Sequence, residues 1–282
     1  MIAYPKKAGL LGWPVSHSLS PALHHYWLKQ YGIEGSYELL PTKAQDLEEV
    51  IRTLPRKGFA GANVTVPHKE SAAKQMDQLD DVAASLGAVN LIIVGDDGSL
   101  EGRNTDGFGF VENLKAAASD LTFKGARVVI LGAGGTTKAV AQALLKEGVT
   151  LRITNRTEEK AKALAAQLGS AIEIVPWPER NQALKSASLL VNTTSLGMKA
   201  QTTLEIELKG LAPGAVVADC VYAPLETELL KAARDQGFLP VDGLGMLIHQ
   251  ARPAFRAWFG VDPQVTPDLR DHLIRVQRGM NL

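Results

Sequence analysis

"VVILGAGGTTKAVAQALL", Val128 to Leu145, runs from apolar residues through Gly132, Ala133, Gly134 and Gly135 into a helix-like stretch. Strand, tight turn and helix in that order are what a dinucleotide site requires. Glycines let the backbone approach a pyrophosphate, and the helix N-terminus offers N–H groups at the positive end of its dipole. The pattern is G-x-G-G-x-x-x-A, with Thr137 where a third glycine would sit, and Lys138 lacks the preceding glycine of a Walker loop. Downstream, the apolar runs "TLRIT", "IEIVP", "SLLVNTTS" and "AVVADCV" alternate with helical patterns, the β-α-β order of a doubly wound nucleotide-binding unit.

About 20 residues beyond such glycines an NAD site carries an Asp or Glu for the ribose hydroxyls. This chain reads Asn155-Arg156-Thr157 there, with Lys160 one turn further on. A guanidinium is planar, permanently charged and able to hold a phosphate through two hydrogen bonds, so it suits a 2′-phosphate. The cofactor implied is NADP. Thr157 also reads as a helix N-cap.

The chain has 282 residues, enough for two domains of about 100 to 200 residues each. Thirty Lys plus Arg balance thirty Asp plus Glu, so no large basic field exists for nucleic acid or an anionic membrane, and a small-molecule substrate is expected. Cys220 stands alone, the six histidines fall in no metal-ligand spacing, and the opening residues lack the apolar core of a signal peptide or membrane span. No metal and a cytoplasmic location are expected.

Before the glycine turn lies another α/β unit. The strand-like runs "AGLLG", "GSYELLP", "GANVTV" and "AVNLIIV" alternate with helical patterns over Pro21–Tyr31 and Lys43–Leu54. "GDDGS", Gly95 to Ser99, reads as a hairpin turn, which adds antiparallel pairing to a mainly parallel sheet. In "GWPVSHSLSPALHH", Ser20 reads as the N-cap of a helix with Pro21 in its first turn, and Ser18 and Ser20 together can bind a carboxylate. Lys69 follows a strand end in "NVTVPHKES", and Asp106 precedes a helix in "GRNTDGFGF". An ammonium paired with a carboxylate can deliver a proton to a carbonyl oxygen opposite a reduced nicotinamide.

These stretches resemble the shikimate dehydrogenase family over nearly the whole chain: "GWPVSHSLSPALH", "GANVTVPHKE", "GAVN", "GRNTDG", "GAGGTTKA", "NRT", "NTTSLGM", "DCVYAPLETELL" and "GLGMLIHQA" occur in order. The resemblance implies reversible NADP-dependent reduction of 3-dehydroshikimate to shikimate, in a cleft between two α/β domains. It implies an N-terminal substrate-binding mixed sheet over residues 1–106, a Rossmann-type NADP-binding domain over 107–243, and C-terminal helices over 244–282 packing back on the first domain. Carried over by motif, Ser18, Ser20 and Tyr222 would hold the substrate carboxylate. Thr65, Asn90 and Gln250 would bind ring hydroxyls, and Lys69 with Asp106 would form the catalytic pair. Gly132, Ala133, Gly134 and Gly135 would cradle the pyrophosphate, and Asn155, Arg156, Thr157 and Lys160 would meet the adenosine 2′-phosphate. Thr194, Gly243 and Met246 would lie around the nicotinamide. The chain would act as a monomer or a homodimer.

Four places depart from the family's usual pattern: Trp13, His25 and His68 replace a common Asn, Asn and Phe, and "TTK" replaces small residues plus Arg after the glycines. Lys138 would thus meet cofactor phosphates as a point charge. Two other readings stand beside this one. A quinate dehydrogenase would favour an acidic residue in place of Asn155-Arg156, and a non-catalytic nucleotide sensor has no need of both Lys69 and Asp106.

Overall fold

The structure, a computed structural model, describes residues 6–169, 172–198 and 201–279. The chain forms two compact units, residues 1–105 with 250–282, and residues 106–249.

The first unit contains β1 (Lys6–Gly12), α1 (Ser20–Gln30), β2 (Gly35–Pro41), α2 (Leu47–Thr53), β3 (Phe59–Val64), α3 (Lys69–Ala73), β4 (Gln78–Leu79), α4 (Asp81–Leu86), β5 (Leu91–Val94) and β6 (Leu100–Arg103). Its sheet order is β2-β1-β3-β5-β6-β4. β1 pairs parallel with β2 and β3, whereas β5 runs antiparallel to both β3 and β6. The β5–β6 hairpin turns where "GDDGS" predicts it, with Gly98 at φ +85° and Gly95 N donating to Ser99 O. The helical pattern over Lys43–Leu54 is divided, a 3-10 turn at Ala44–Asp46 preceding α2.

Leu11, Val64 and Ile92 of this sheet pack with Leu47, Ile51 and Leu54 into one core. An aromatic cluster joins α1 and β2 to the C-terminal residues. The ring of His24 stacks on Tyr37 at 4.0 Å between centroids, with Trp27, Phe255 and Trp258 around it. Trp258 Nε1 donates to Ile92 O at 3.0 Å, and Trp27 Nε1 to Gln264 O at 3.1 Å. Gly61 makes the first of these possible: at φ +153° it lies where a Cβ would collide with both Ile92 O and Trp258 Nε1.

The second unit holds α5 (Asp106–Ala117), β7 (Arg127–Leu131), α6 (Gly135–Lys146), β8 (Thr150–Thr154), α7 (Glu158–Leu168), β9 (Ile172–Ile174), α8 (Arg180–Ala183), β10 (Leu189–Asn192), β11 (Val216–Asp219), α9 (Glu228–Asp235) and β12 (Leu239–Val241). The sheet order β12-β11-β10-β7-β8-β9 is parallel throughout. Read from β7, this is the 3-2-1-4-5-6 order of doubly wound dinucleotide-binding sheets, with its switch point between β7 and β10. Apolar runs without alternation follow from burial on both faces. Val128 and Ile130 face one core and Val129 and Leu131 the other, as do Leu189 and Val191 against Leu190. α10 (Gly243–Phe259) belongs to this unit through His249 and to the first unit from Gln250, and α11 (Pro267–Gln277) packs on α1.

His24 is fully buried, and neither ring nitrogen has a hydrogen-bond partner. Burial, reinforced by neighbouring His25, pushes its pKa down to about 3, so the folded protein holds a neutral imidazole that the unfolded chain would protonate below about pH 6.5. The stability this lends is present above that value and lost as pH falls towards 3. His24→Leu removes the ionisable ring. Measured by urea unfolding, the variant's stability relative to the parent should rise by about 2 kcal/mol between pH 7 and pH 5; a pH-independent difference would contradict the neutral buried ring.

Candidate functional site

In the first unit, polar side chains gather at three places. Ser18 Oγ accepts from Ser20 N at 3.2 Å and donates to Ser20 Oγ at 3.1 Å. This corrects the expectation for Ser20: Leu19 occupies the N-cap position, Ser20 is already helical, and Ser18 supplies the oxygen that meets the helix's first N–H. Ser20 is buried and bonded to Tyr37, whose hydroxyl burial holds protonated well above the usual tyrosine range.

At the end of β3, Thr65 N donates to Leu11 O and His68 N to Thr65 O, which folds the chain into α3 and makes Lys69 its first residue. His68 is buried, and its Nε2 donates to Thr42 O at 2.6 Å. Lys69 is half-buried, and its carbonyl accepts from Val89 N at 2.9 Å.

The third place centres on Asn90. Its Oδ1 accepts from Thr105 N at 2.8 Å, while its Nδ2 donates to Thr105 Oγ1 at 3.0 Å and to Gln250 Oε1 at 3.4 Å. Thr105 Oγ1 donates onward to Gln250 O at 2.8 Å. The carbonyl of Asn90 accepts from Val64 N and from Asn63 Nδ2, and Asn63 Oδ1 accepts the Tyr37 hydroxyl at 2.8 Å. Asn90 and Gln250 are therefore brought together. Thr105 and Asn63, which bind them, escaped the sequence reading, although Thr105 stands in the quoted "GRNTDG".

In the second unit Asp106 is the first residue of α5, 7% exposed. A Cβ on Gly107 would fall 2.5 Å from Ala139 O, so this glycine lets α5 press on α6 and fixes where Asp106 stands.

The glycine turn follows β7. Gly132 adopts φ +117°, and a Cβ there would lie 2.6 Å from Thr193 Oγ1. Its glycine requirement is internal to the fold. Gly134 and Gly135 differ: neither has a left-handed φ, and an added Cβ at either meets nothing within 4 Å. The chain's own packing does not require glycine there, whereas a phosphate lying against the backbone would, so the turn fits a dinucleotide. Thr193 Oγ1 gives its one proton to Leu131 O at 2.7 Å, hence Thr137 Oγ1 donates to Thr193 at 2.7 Å and itself accepts from Gly134 N at 3.0 Å. Thr137, in the place of a third glycine, fastens the turn to the end of β10. Ala133 is half-buried, and Lys138 lies half-buried in the first turn of α6.

After β8, Asn155 Nδ2 donates to Thr157 O at 2.7 Å, leaving Arg156 and Lys160 exposed. Two exposed cations on the turn beyond the glycines fit a 2′-phosphate. Thr157 sits at the N-cap of α7 without a side-chain capping bond, so the capping expectation is met in position only.

After β10 and β11, one buried carboxylate organises the chain. Asp219 Oδ1 accepts from Asn192 Nδ2 at 2.9 Å and Val221 N at 3.0 Å, and Oδ2 accepts from Thr227 Oγ1 at 2.8 Å. Burial pushes its pKa up to about 6 against these three hydrogen bonds. Asn192 Oδ1 accepts from both the N–H and the hydroxyl of Thr194. Tyr222, the residue after Val221, is half-buried, and desolvation raises its pKa. Gly243 N donates to Val221 O at 3.2 Å, and a Cβ on Gly243 would collide with Cys220 O, so this glycine serves a close backbone approach. Met246 packs against the core of the second unit.

Family models match residues 10–92 (shikimate dehydrogenase substrate binding domain), 114–205 (shikimate / quinate 5-dehydrogenase) and 243–269 (shikimate 5′-dehydrogenase C-terminal domain). A shikimate dehydrogenase (NADP(+)) of Paramagnetospirillum magneticum is 52% identical over 264 residues, covering 93% of this chain and 96% of its own. A crystal structure of shikimate 5-dehydrogenase from Thermus thermophilus, in complex with NADP(H) and shikimate, is 36% identical with a TM-score of 0.84, covering 98% of this chain and 100% of the other. Quinate dehydrogenase from Corynebacterium glutamicum in complex with NAD is 32% identical with a TM-score of 0.89, covering 96% and 99%. With matches spanning both units and the glycine turn, "NVTVP" and "NTDG" stretches all in place, the chain belongs to the shikimate dehydrogenase family.

Proposed function

We propose that this chain is an NADP-dependent shikimate dehydrogenase, reducing 3-dehydroshikimate reversibly to shikimate. The observation that carries the reading is the 52% identity to a protein of that name over 93% of this chain. Arg156 and Lys160 favour NADP over NAD, because their charges suit a 2′-phosphate and would find no partner on a bare ribose. A cytoplasmic location suits both this chemistry and a single cysteine thiol.

The residues divide the work by chemistry. The hydroxyls of Ser18 and Ser20, with Tyr222, are assigned to the substrate carboxylate, and Thr65, Asn90 and Gln250 to the ring hydroxyls. A carboxylated triol calls for such a set of donors and acceptors. Gly132, Ala133, Gly134 and Gly135 would hold the cofactor pyrophosphate, Asn155, Arg156, Thr157 and Lys160 the 2′-phosphate, and Thr194, Gly243 and Met246 the nicotinamide end. When bound, NADPH supplies the hydride for the carbonyl carbon. Lys69 gives a proton to the carbonyl oxygen as negative charge develops there, and Asp106 is its partner in the catalytic pair. In the oxidising direction the neutral amine of Lys69 takes the hydroxyl proton.

Quinate is the competing substrate, given the C. glutamicum neighbour that carries that name. Absorbance of the reduced nicotinamide, with shikimate and quinate each crossed with NADP+ and NAD+, separates the two: shikimate with NADP+ should give the highest kcat/KM, and a higher value for quinate with NAD+ would reverse the reading.

Two substitutions test the assignments. Lys69→Ala, and Lys69→Met with its stem retained, should each lower kcat about 10²–10⁴-fold while NADPH binding by titration is preserved. A variant that keeps turnover and loses shikimate affinity would make Lys69 a binding residue. Arg156→Ala should raise the KM for NADP+ about ten- to a hundredfold, the loss of a charge-assisted phosphate contact worth about 1.5 to 3 kcal/mol, with the KM for NAD+ nearly unchanged. Equal losses for the two cofactors would remove Arg156 from the 2′-phosphate.

A further inference from the structure

The carboxylate of Asp219 has no part in the chemistry assigned above, yet it is 2% exposed and accepts hydrogen bonds from three separate segments of the second unit. Asp219 ends β11 and Asn192 ends β10, adjacent parallel strands paired at these very residues. Ligands of doubly wound sheets bind outside the carboxyl ends of the strands, so whatever orders the chain leaving β10 and β11 orders the ligand side of the sheet.

Each strand end is wound round its own side chain. Asn192 folds residues 192–196 about its amide: Oδ1 takes the N–H and hydroxyl of Thr194, and Nδ2 reaches Leu196 O at 3.1 Å as well as Asp219. Asp219 does the same for its own turn, taking Val221 N on the oxygen that holds Asn192. Its other oxygen holds Thr227, whose Oγ1 caps α9 by accepting from Leu230 N. Remove the carboxylate and the 192–196 turn loses its side-chain bond to the end of β11, while the turn into Tyr222 loses the acceptor of Val221 N. The glycine turn after β7 meets this segment at Thr193, which is held by Leu131 O and not by Asp219, and Arg156 after β8 makes none of these contacts.

We propose that Asp219 is a positioning residue for hydride transfer: it locks the turn bearing Thr194 and the turn bearing Tyr222 into one rigid edge, fixing the nicotinamide end of the cofactor and the carboxylate end of the substrate together. The proposal rests on the roles given to Thr194 and Tyr222 under the shikimate dehydrogenase reading. It calls for a particular split. The adenosine half of the cofactor is held by segments that Asp219 does not touch, so cofactor affinity survives its loss while turnover and shikimate affinity do not.

The test measures kcat, the KM for shikimate, NADPH affinity and the fluorescence of bound NADPH for Asp219→Ala and Asp219→Asn, with thermal unfolding of each. Asp219→Ala should lower kcat by about 100-fold, the scale on which small misplacements act, and raise the KM for shikimate. NADPH affinity should stay near the parent value, with altered fluorescence of the bound nicotinamide. Asp219→Asn keeps an acceptor oxygen for Asn192 and Val221 and can turn its nitrogen to Thr227 Oγ1, so it should recover most of the turnover. Unchanged kcat in Asp219→Ala would overturn the proposal, as would parallel losses of kcat, NADPH affinity and thermal stability that Asp219→Asn fails to relieve. If Asp219→Ala does not fold, Asn192→Ala, which leaves the Val221 and Thr227 contacts in place, must show the same split, and normal turnover there overturns the proposal. Shikimate oxidation by the unmutated protein is the control on the reading itself. Its absence would overturn both, whereas an active parent with an indifferent Asp219→Ala would overturn the positioning role alone.

Discussion

The turn after β7 is fastened by a run of hydroxyls whose direction is fixed by proton count. Gly134 N gives to Thr137, Thr137 to Thr193, and Thr193 to Leu131 O. Because Thr193 follows β10, this run ties the two strands that flank the switch point of the second sheet at the end where a dinucleotide binds. Gly132 must lack a Cβ for Thr193 to stand there. The open space over Gly134 and Gly135 is a consequence: the turn is held from beneath by threonines and leaves its backbone facing outward. On the far side of the same β10 end, Asn192 and Asp219 continue the fastening to β11. Three successive loop origins are thus bonded sideways through the side chains of Thr137, Thr193, Asn192 and Asp219.

The first unit solves a similar problem with amides. Asn90 uses every hydrogen-bonding group it has: its carbonyl binds β3 and Asn63, and its side chain binds Thr105 and Gln250. Buried polar groups are costly unless satisfied, so a buried cluster of amides and hydroxyls is stable only if its donors and acceptors are mutually held. The bond from Asn90 to Gln250 spans 160 positions of sequence and secures the returning C-terminal residues to the first sheet. The aromatic cluster around His24 does the apolar part of that attachment through Phe255 and Trp258.

What could be read in the sequence follows from which interactions are local. The glycine turn, the period of the buried strands and the β5–β6 hairpin are each set by neighbours within a few residues, and all are legible. Ser20 was misread as a cap because serine before a proline-started helix usually is one; here Ser18 supplies the oxygen, a choice made by the one residue's difference in where the helix begins. The split of Lys43–Leu54 into a 3-10 turn and α2, and the short strands β4 and β12, depend on pairing partners elsewhere in the chain. Thr105, Asn63 and Asp219 gave no signal of their own, since a threonine, an asparagine or an aspartate at a strand end most often serves a turn, and only the fold shows to what it is bonded.

The departures from the family's usual residues become intelligible on the same grounds. His25 accepts Tyr37 N on Nε2 and joins α1 to β2. His68 donates from Nε2 to Thr42 O and so holds the residue before Lys69 against the loop after β2. Trp13 is 48% exposed beneath the Lys43 ammonium, 5.5 Å from its ring centre. Each of these side chains is engaged with the chain itself, and His68 adjoins Lys69, the first residue of α3. Thr137 is the instructive one among them. The third glycine of such turns usually serves close helix–strand packing, and Thr137 stands in its place. In this fold a hydroxyl performs the packing task by bonding across to Thr193, so the absence of glycine at 137 and the demand for glycine at 132 are two sides of one contact.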